Sequence, residues 1–268
     1  MTQSRSSVVW GLSALALLLL YAPLIALCIL SFNDARVSVR WDGWSLRWYT
    51  QLWHDQPLWT ALWVSLKVGV WSTAVATVVG AAAALGLEQR HLWGRGAGRD
   101  EGWMHHIGDT LMLLPLVMPE LILGVAFMLC FALLKVPLGL STVTVAHAVF
   151  NAPLVMVLVR ARLRKVDPTL LEAAADLGAT TTQAVRYVLL PLMTPVLLGA
   201  ALLAVAVSLD DFLVTFFTTG PGATTLPLRI YSNIRSGITP ELDALSTVMV
   251  LATVLVVVVA LRMQRERV

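Results

Sequence analysis

Six apolar stretches, near residues 10–31, 59–87, 109–134, 140–160, 191–217 and 243–262, constrain this chain more than any motif does. Each is close to the ~20 residues that a helix needs to cross the hydrocarbon core of a bilayer. Lipid offers the backbone no water, so such a stretch has to satisfy its own N–H and C=O groups, and a helix does so within the segment. The expected fold is therefore an all-α integral membrane protein with six transmembrane helices. Composition agrees: of 268 residues, 58% are hydrophobic and 13% charged, where a soluble domain carries about 25% charged residues. The first stretch, Trp10 to Leu30, is too long for a secretory signal and has no small-x-small cleavage site near its end, so it is expected to remain as the first membrane helix.

Six spans place both termini on one side. That side holds Arg5, Arg90, Arg95, Arg99, Arg160, Arg162, Arg164, Lys165, Arg186, Arg262, Arg265 and Arg267. The other holds Arg36, Arg40, Arg47, Lys135, Arg229 and Arg235, with Lys67 inside the second span. The basic excess marks the cytoplasmic side, so both termini are expected there, on one membrane domain covering residues 1–268. The net charge of +3 sits in short connecting segments rather than on one soluble face, which argues against nucleic acid as a partner. Cys28 and Cys130 lie in apolar stretches and behave as small hydrophobes.

Two spans read poorly as plain anchors. The third carries Pro115, Pro119, Glu120 and Gly124, and the fourth carries Asn151 and Pro153. Proline removes a backbone donor, so each span is either a kinked packing helix or one lining a cavity, and Glu120 beside the break favours the cavity. A carboxylate mid-span costs about 2.5–3.5 kcal/mol on insertion scales, so Glu120, Asp210 and Asp211 are expected to face protein or water. On a helix, Asp210 and Asp211 project about 100° apart. One can then line a path while the other caps or pairs behind it, with Ser208 nearby. Alternatively these acids pair with Lys67, Arg229 or Asn151 to hold helices together.

Enzyme chemistry is missing. None of the lysines, Lys67, Lys135 and Lys165, follows a glycine, so there is no phosphate-cradling loop. His54, His91, His105, His106 and His147 show no metal-ligand spacing and read as solvated loop residues. No hydrolase elbow or His-Glu-x-x-His pair occurs. The chain reads as a conduit rather than an enzyme. On the outer side, Ser31 to Gln56 is rich in Trp41, Trp44, Trp48, Tyr49 and Trp53. Such a segment is either a short helix resting at the interface or a docking surface for an external partner through Trp44, Trp48 and Tyr49.

Between the fourth and fifth spans runs a polar cytoplasmic segment, residues 160–191. Asp167-Pro168 gives a helix start, Leu170, Leu171, Ala174 and Leu177 recur at helical spacing, Gly178 ends the helix, and a second segment runs from Thr181 to Leu190. Within it Glu172-Ala173-Ala174, Gly178, Val188, Leu190 and Pro191 resemble the Glu-Ala-Ala-x3-Gly-x9-Ile-x-Leu-Pro loop of ABC importer permeases, with Val188 the one departure. The stretches Ser208 to Phe212, Thr219 to Leu228, Ile238 to Leu245 and Trp44 to Tyr49 are similar to the second permease of putrescine and spermidine importers. Glu120 stands where those permeases commonly have Asp.

The resemblance implies a type I ABC importer permease (MetI-like) fold in a bacterial inner membrane. It implies that Glu172, Ala173, Ala174, Gly178, Leu190 and Pro191 belong to coupling helices inserted into an ATPase. It further implies a second permease subunit forming a heterodimer, two ATP-binding subunits and an external polyamine-binding protein. No cofactor is expected on this chain, with ATP and Mg on the partner ATPase. Glu120, Ser208, Asp210 and Asp211 are then candidates for a path that meets the amines of a polyamine. Another small organic cation or an opine-like compound is the alternative substrate. An ion-coupled secondary transporter would share broken helices and buried acids but has no need of an ATPase-docking loop.

Overall fold

The computed structural model describes residues 2–35, 40–93, 103–237 and 240–265. Arg36, Arg95, Arg99, Ile238, Thr239 and Arg267 lie outside them, as do the side chains of Arg5, Arg90, His105, His106, Arg262 and Arg265. The order is α1 (Thr2–Leu30), α2 (Arg47–His54), α3 (Gln56–Trp93), α4 (Trp103–Val117), α5 (Glu120–Leu133), α6 (Leu140–Leu163) and α7 (Thr169–Asp176). A helical run then passes through α8 (Thr181–Ala184), a π turn (Val185–Leu189) and α9 (Leu190–Asp210). The last elements are α10 (Leu213–Thr218), α11 (Leu226–Ser236) and α12 (Pro240–Arg265). No strand occurs among the described residues; an isolated bridge pairs Asn33 with Trp44.

Among the described residues four helices are long and apolar enough to cross a membrane: Trp10–Leu30, Gln56–Gln89, Leu140–Leu163 and Thr181–Asp210. The bent pair Thr110–Val117 and Glu120–Leu133 makes a fifth if counted as one span. The sixth expected span falls on α12, whose side chains beyond residue 255 are outside the described set, so the count here is four or five. The third span is broken at Met118-Pro119 by 115°. Proline disfavours the helical conformation in the residue before it; α4 stops ahead of Met118, and Pro119 (φ −56°, ψ 132°) opens α5. In the fourth span α6 continues as helix through Pro153, and the burial of both Asn151 and Pro153 fits the packing alternative. The fifth is displaced. It starts at Thr181, ten residues before the expected Pro191, and ends at Asp210 instead of near residue 217.

The chain divides into two compact units, Met1–Trp59 with Ile230–Val268, and Thr60–Arg229. In the first, α12 packs on both α1 and α2. Its irregular segment is organised by Asn33, whose amide offers both donors and an acceptor. Asn33 Oδ1 accepts from the Asp42 N–H at 3.0 Å and the Ala35 N–H at 3.2 Å, its Nδ2 donates to the Arg40 carbonyl, and its own carbonyl accepts from Trp48 Nε1 at 2.8 Å.

In the second unit α6 is the axis. Of the candidate spans it is the most buried, and it packs against α4, α5, α9 and α10. One core joins Ala76, Ala84 and Leu92 of α3, Val155, Met156, Val159 and Leu163 of α6, Leu171 of α7 and Ala200 and Ala204 of α9. Small residues allow the close approach of helices that lipid itself does not drive together. Gly80 of α3 is such a residue: a Cβ there would lie 2.5 Å from the Ala152 carbonyl oxygen and 3.0 Å from the Met156 nitrogen. Both obstacles are backbone of α6, so only helix separation could relieve the clash. Gly80→Ala is expected to cost about 1–3 kcal/mol, the usual range for overpacking. It should appear as a lowered unfolding temperature of the purified chain, while Gly86→Ala, which meets nothing within 4 Å, leaves it unchanged.

Candidate functional site

Two breaks in the second unit carry the predicted acids. Glu120 is the first residue of α5, in the turn where free amides and the helix dipole favour a carboxylate, and it is exposed. Asp210 is the last residue of α9 and is also exposed. Asp211 is different. It has left the helix (φ −65°, ψ 125°), so the expected 100° separation of two helical neighbours does not apply. Its carboxylate is buried and caps α10, accepting from the Val214 N–H at 3.2 Å, the Thr215 N–H at 2.8 Å and the Thr215 hydroxyl at 2.9 Å.

A fourth partner comes from α6. His147 Nε2 lies 3.1 Å from Asp211 Oδ2 and 2.9 Å from Thr215 Oγ1, and Nδ1 lies 2.7 Å from Ser208 Oγ of α9. Ser208 in turn meets Ser72 of α3 at 3.4 Å. An ionised Asp211 can only accept, so Nε2 is the donor toward it, while Nδ1 exchanges a hydrogen bond with the Ser208 hydroxyl. His147 is fully buried, which corrects its reading as a solvated loop residue. A lone histidine in an apolar run carries no spacing signal, and its partners stand 61 and 68 residues away. Asp211 is thus paired with His147 rather than with Lys67, Arg229 or Asn151. Asn151 instead donates to the Ala204 carbonyl at 3.4 Å.

The breaks are also joined by packing. Gly124, one turn after Glu120, lies so close to α10 that a Cβ would stand 3.2 Å from the Leu213 carbonyl oxygen and 3.4 Å from Val214 Cα. The Thr142 hydroxyl at the start of α6 donates to the Thr218 carbonyl at the end of α10, at 2.8 Å.

At the other end of the unit the polar loop folds nearly as its sequence indicates. Asp167 Oδ1 accepts from the Thr169 N–H at 3.0 Å, and this bond holds its carboxyl below the usual range. After α7, Gly178 adopts φ +82°. The Gly178 N–H donates to the Ala175 carbonyl (2.8 Å) and the Ala179 N–H to the Ala174 carbonyl (3.0 Å), the paired bonds of a Schellman ending. Glu172, Ala173, Gly178, Leu190 and Pro191 are exposed and Ala174 is half-buried. Leu177 is 90% exposed, an apolar side chain left bare. The opposite face is anchored, with Leu171, Ala184 and Leu189 in the core shared with α3, α6 and α9. Beside them the buried Glu88 of α3 receives Arg160 Nε at 2.5 Å and Arg164 Nε at 2.9 Å from α6.

In the first unit Trp48 is buried and Tyr49 half-buried, its hydroxyl 2.6 Å from Ser31 Oγ, so both support the loop. Trp44 is exposed. Among the described residues no group of His, Cys, Asp or Glu could hold a metal ion.

Residues 92–265 match the family described as "Binding-protein-dependent transport system inner membrane component". The putrescine transport system permease protein PotI of Escherichia coli (strain K12) is 37% identical over 235 residues, covering 85% of this chain and 80% of that one. The spermidine/putrescine transport system permease protein PotC of the same strain is 31% identical over 248 residues, 92% of this chain and 90% of the relative. Among solved structures, a chain of a bacterial alginate ABC transporter in complex with alginate pentasaccharide-bound periplasmic protein superposes with a TM-score of 0.72 at 15% identity. It covers 98% of this chain and 96% of that one. At that identity the likeness concerns the fold.

The two adjacent carboxylates are expected to differ in what they hold together. Asp211→Ala leaves buried amides and an imidazole without their acceptor and should cost about 3–5 kcal/mol, as breaking a buried pair does. Asp210→Ala should leave stability near that of the parent. Thermal unfolding of the two purified variants, side by side, checks the contrast.

Proposed function

Because the chain belongs to the family of binding-protein-dependent transport system inner membrane components, we propose that it is the permease subunit of an ATP-driven importer of putrescine or spermidine. It is a multi-pass membrane permease and not itself a catalyst. The reading rests above all on its 37% identity, over 85% of its length, with a putrescine permease. A secondary transporter fits less well, having no use for the capped and anchored helices α7 and α8.

In this reading Glu120 and Asp210 meet the ammonium groups of the substrate. Each sits exposed at a break in a span, where irregular backbone is tolerated because it lines protein or water. A passing dication loses hydration, and dispersed carboxylates offset that loss without holding the cargo too tightly to release it. Asp211 and Ser208, committed to His147, hold the geometry of the path. ATP and Mg bind on two separate ATPase subunits, and a second permease completes the pathway. The ATPase receives α7 and α8 through Glu172, Ala173, Ala174, Gly178 and the bare Leu177. Since Leu171, Ala184 and Leu189 are packed into the transmembrane core, a displacement of α7 has to be carried into α6 and α9. An external polyamine-binding protein delivers the substrate on the outer side, where Trp44 is exposed. Both termini are cytoplasmic, in a bacterial inner membrane.

Proteoliposomes containing this chain, its partner permease, the ATPase and the binding protein test the reading. Putrescine uptake should require ATP, and Asp210→Asn and Glu120→Gln should each reduce it about tenfold or more with the complex still assembled. Undiminished uptake in both variants would remove these acids from the path. For coupling, Gly178→Val forces a branched residue into φ +82°. It is expected to preserve membrane insertion and reduce the ATPase that copurifies. Stoichiometric ATPase in that variant would rule out this docking role.

A further inference from the structure

On the import reading, His147 is a buried titratable side chain that does not meet the substrate. We propose that His147 is a positioning residue for the translocation path, setting the place of Asp210 and Glu120 through Asp211 and α10 without touching the substrate.

The imidazole is fully buried at mid-helix on α6, the most buried span, so its position is fixed by the core around it. From there it reaches α9, α10 and the junction between them. Nδ1 takes Ser208, two residues before Asp210 on α9; Nε2 takes both Asp211, the residue after Asp210, and Thr215 on α10. Asp210 is therefore bracketed by two residues that the same ring holds. Asp211 also caps α10 through the Val214 and Thr215 amides, so the ring determines where α10 begins.

α10 then carries the constraint to the second acid. Gly124 packs tightly on α10, where a Cβ would stand 2.9 Å from the Phe217 ring and 3.2 Å from the Leu213 carbonyl oxygen, and it lies one turn from Glu120 on α5. One imidazole thus governs the spacing of two carboxylates that belong to different broken spans. The Nε2 contact carries this function and the Nδ1 contact supports it, because Asp211 follows α9 directly and caps α10.

Two substitutions separate the two nitrogens. His147→Asn is long enough to keep a contact with Ser208 but too short to reach Asp211, while His147→Gln places an amide donor near the lost Nε2. In proteoliposomes with the whole complex, His147→Asn is expected to raise the KM for putrescine about tenfold and His147→Gln to stay within about twofold of the parent. Because His147 acts through both Asp210 and Glu120, the double variant His147→Asn with Asp210→Asn should lose less than the product of the two single losses; a merely structural role gives multiplied losses.

A second readout needs no substrate. In a background lacking Cys28 and Cys130, the thiol introduced by Asp210→Cys should change its rate of reaction with a water-soluble reagent about fivefold on adding His147→Asn, but not His147→Gln. If the parent complex imports no putrescine and the thiol rate still shifts, the polyamine reading fails and the positioning role stands. An unchanged KM or thiol rate in His147→Asn, multiplied losses in the double variant, or a Gln variant as impaired as the Asn variant overturns the proposal. Should His147→Asn yield no assembled complex, Thr215→Val removes the hydroxyl shared by His147 and Asp211 without changing size. It is expected to raise KM about threefold, and an unchanged KM there also overturns the proposal.

Discussion

Where α9 gives way to α10, the amides of Val214 and Thr215 have no helical acceptor, and in the absence of water an unmet backbone group costs several kcal/mol. The Asp211 carboxylate meets both, and it can remain charged in a buried place only because His147 and the Thr215 hydroxyl share it. The rest of the second unit depends on this solution. It lets α9 stop at Asp210 and the six-residue α10 start two residues later with its first amides met. The exposed Asp210 stands one residue from this cap, so the same break that needs an internal carboxylate also presents a free one.

The opposite end of the unit solves a different problem. Helices α7 and α8 are short, and short helices in isolation are marginal. They persist because a capping bond at Thr169, a Schellman ending at Gly178 and the burial of Leu171, Ala184 and Leu189 tie them to the transmembrane core. Glu88 with Arg160 and Arg164 closes that end of α3 onto α6. The loop is fixed on one face and leaves the apolar Leu177 bare on the other. The π turn at Val185–Leu189 joins it to α9 without interrupting the helix, a kind of irregularity common at working positions.

Much of this was legible before any coordinates. The helix from Asp167 to Gly178 depends on caps and spacing within a dozen residues, so its start and end emerged within one or two positions of those observed. Met118-Pro119 announced a break because proline acts on its immediate neighbour. Pro153 left a packing helix and a cavity lining both open, and only its burial among side chains of other elements selects the first. The fifth span was misplaced at both ends for a related reason. Its apolar pattern continues past Asp210, and only the tertiary capping by Asp211 stops it there.

The aromatic segment around Trp48 and Tyr49 reads either as a short interfacial helix or as a docking surface, because composition alone does not distinguish a ring that supports a loop from one that faces a partner; the short helix is present as α2. Asn33 and Ser31 decide the matter by receiving them. By itself the sequence determined what depends on local chemistry: membrane class from the length of apolar runs, the short helices from their caps, and family from a motif in register. Only the tertiary structure decided which of two adjacent aspartates is free, and that a lone histidine holds the other. Those assignments rest on contacts across 61 to 68 residues, and no spacing within the chain encodes such a distance.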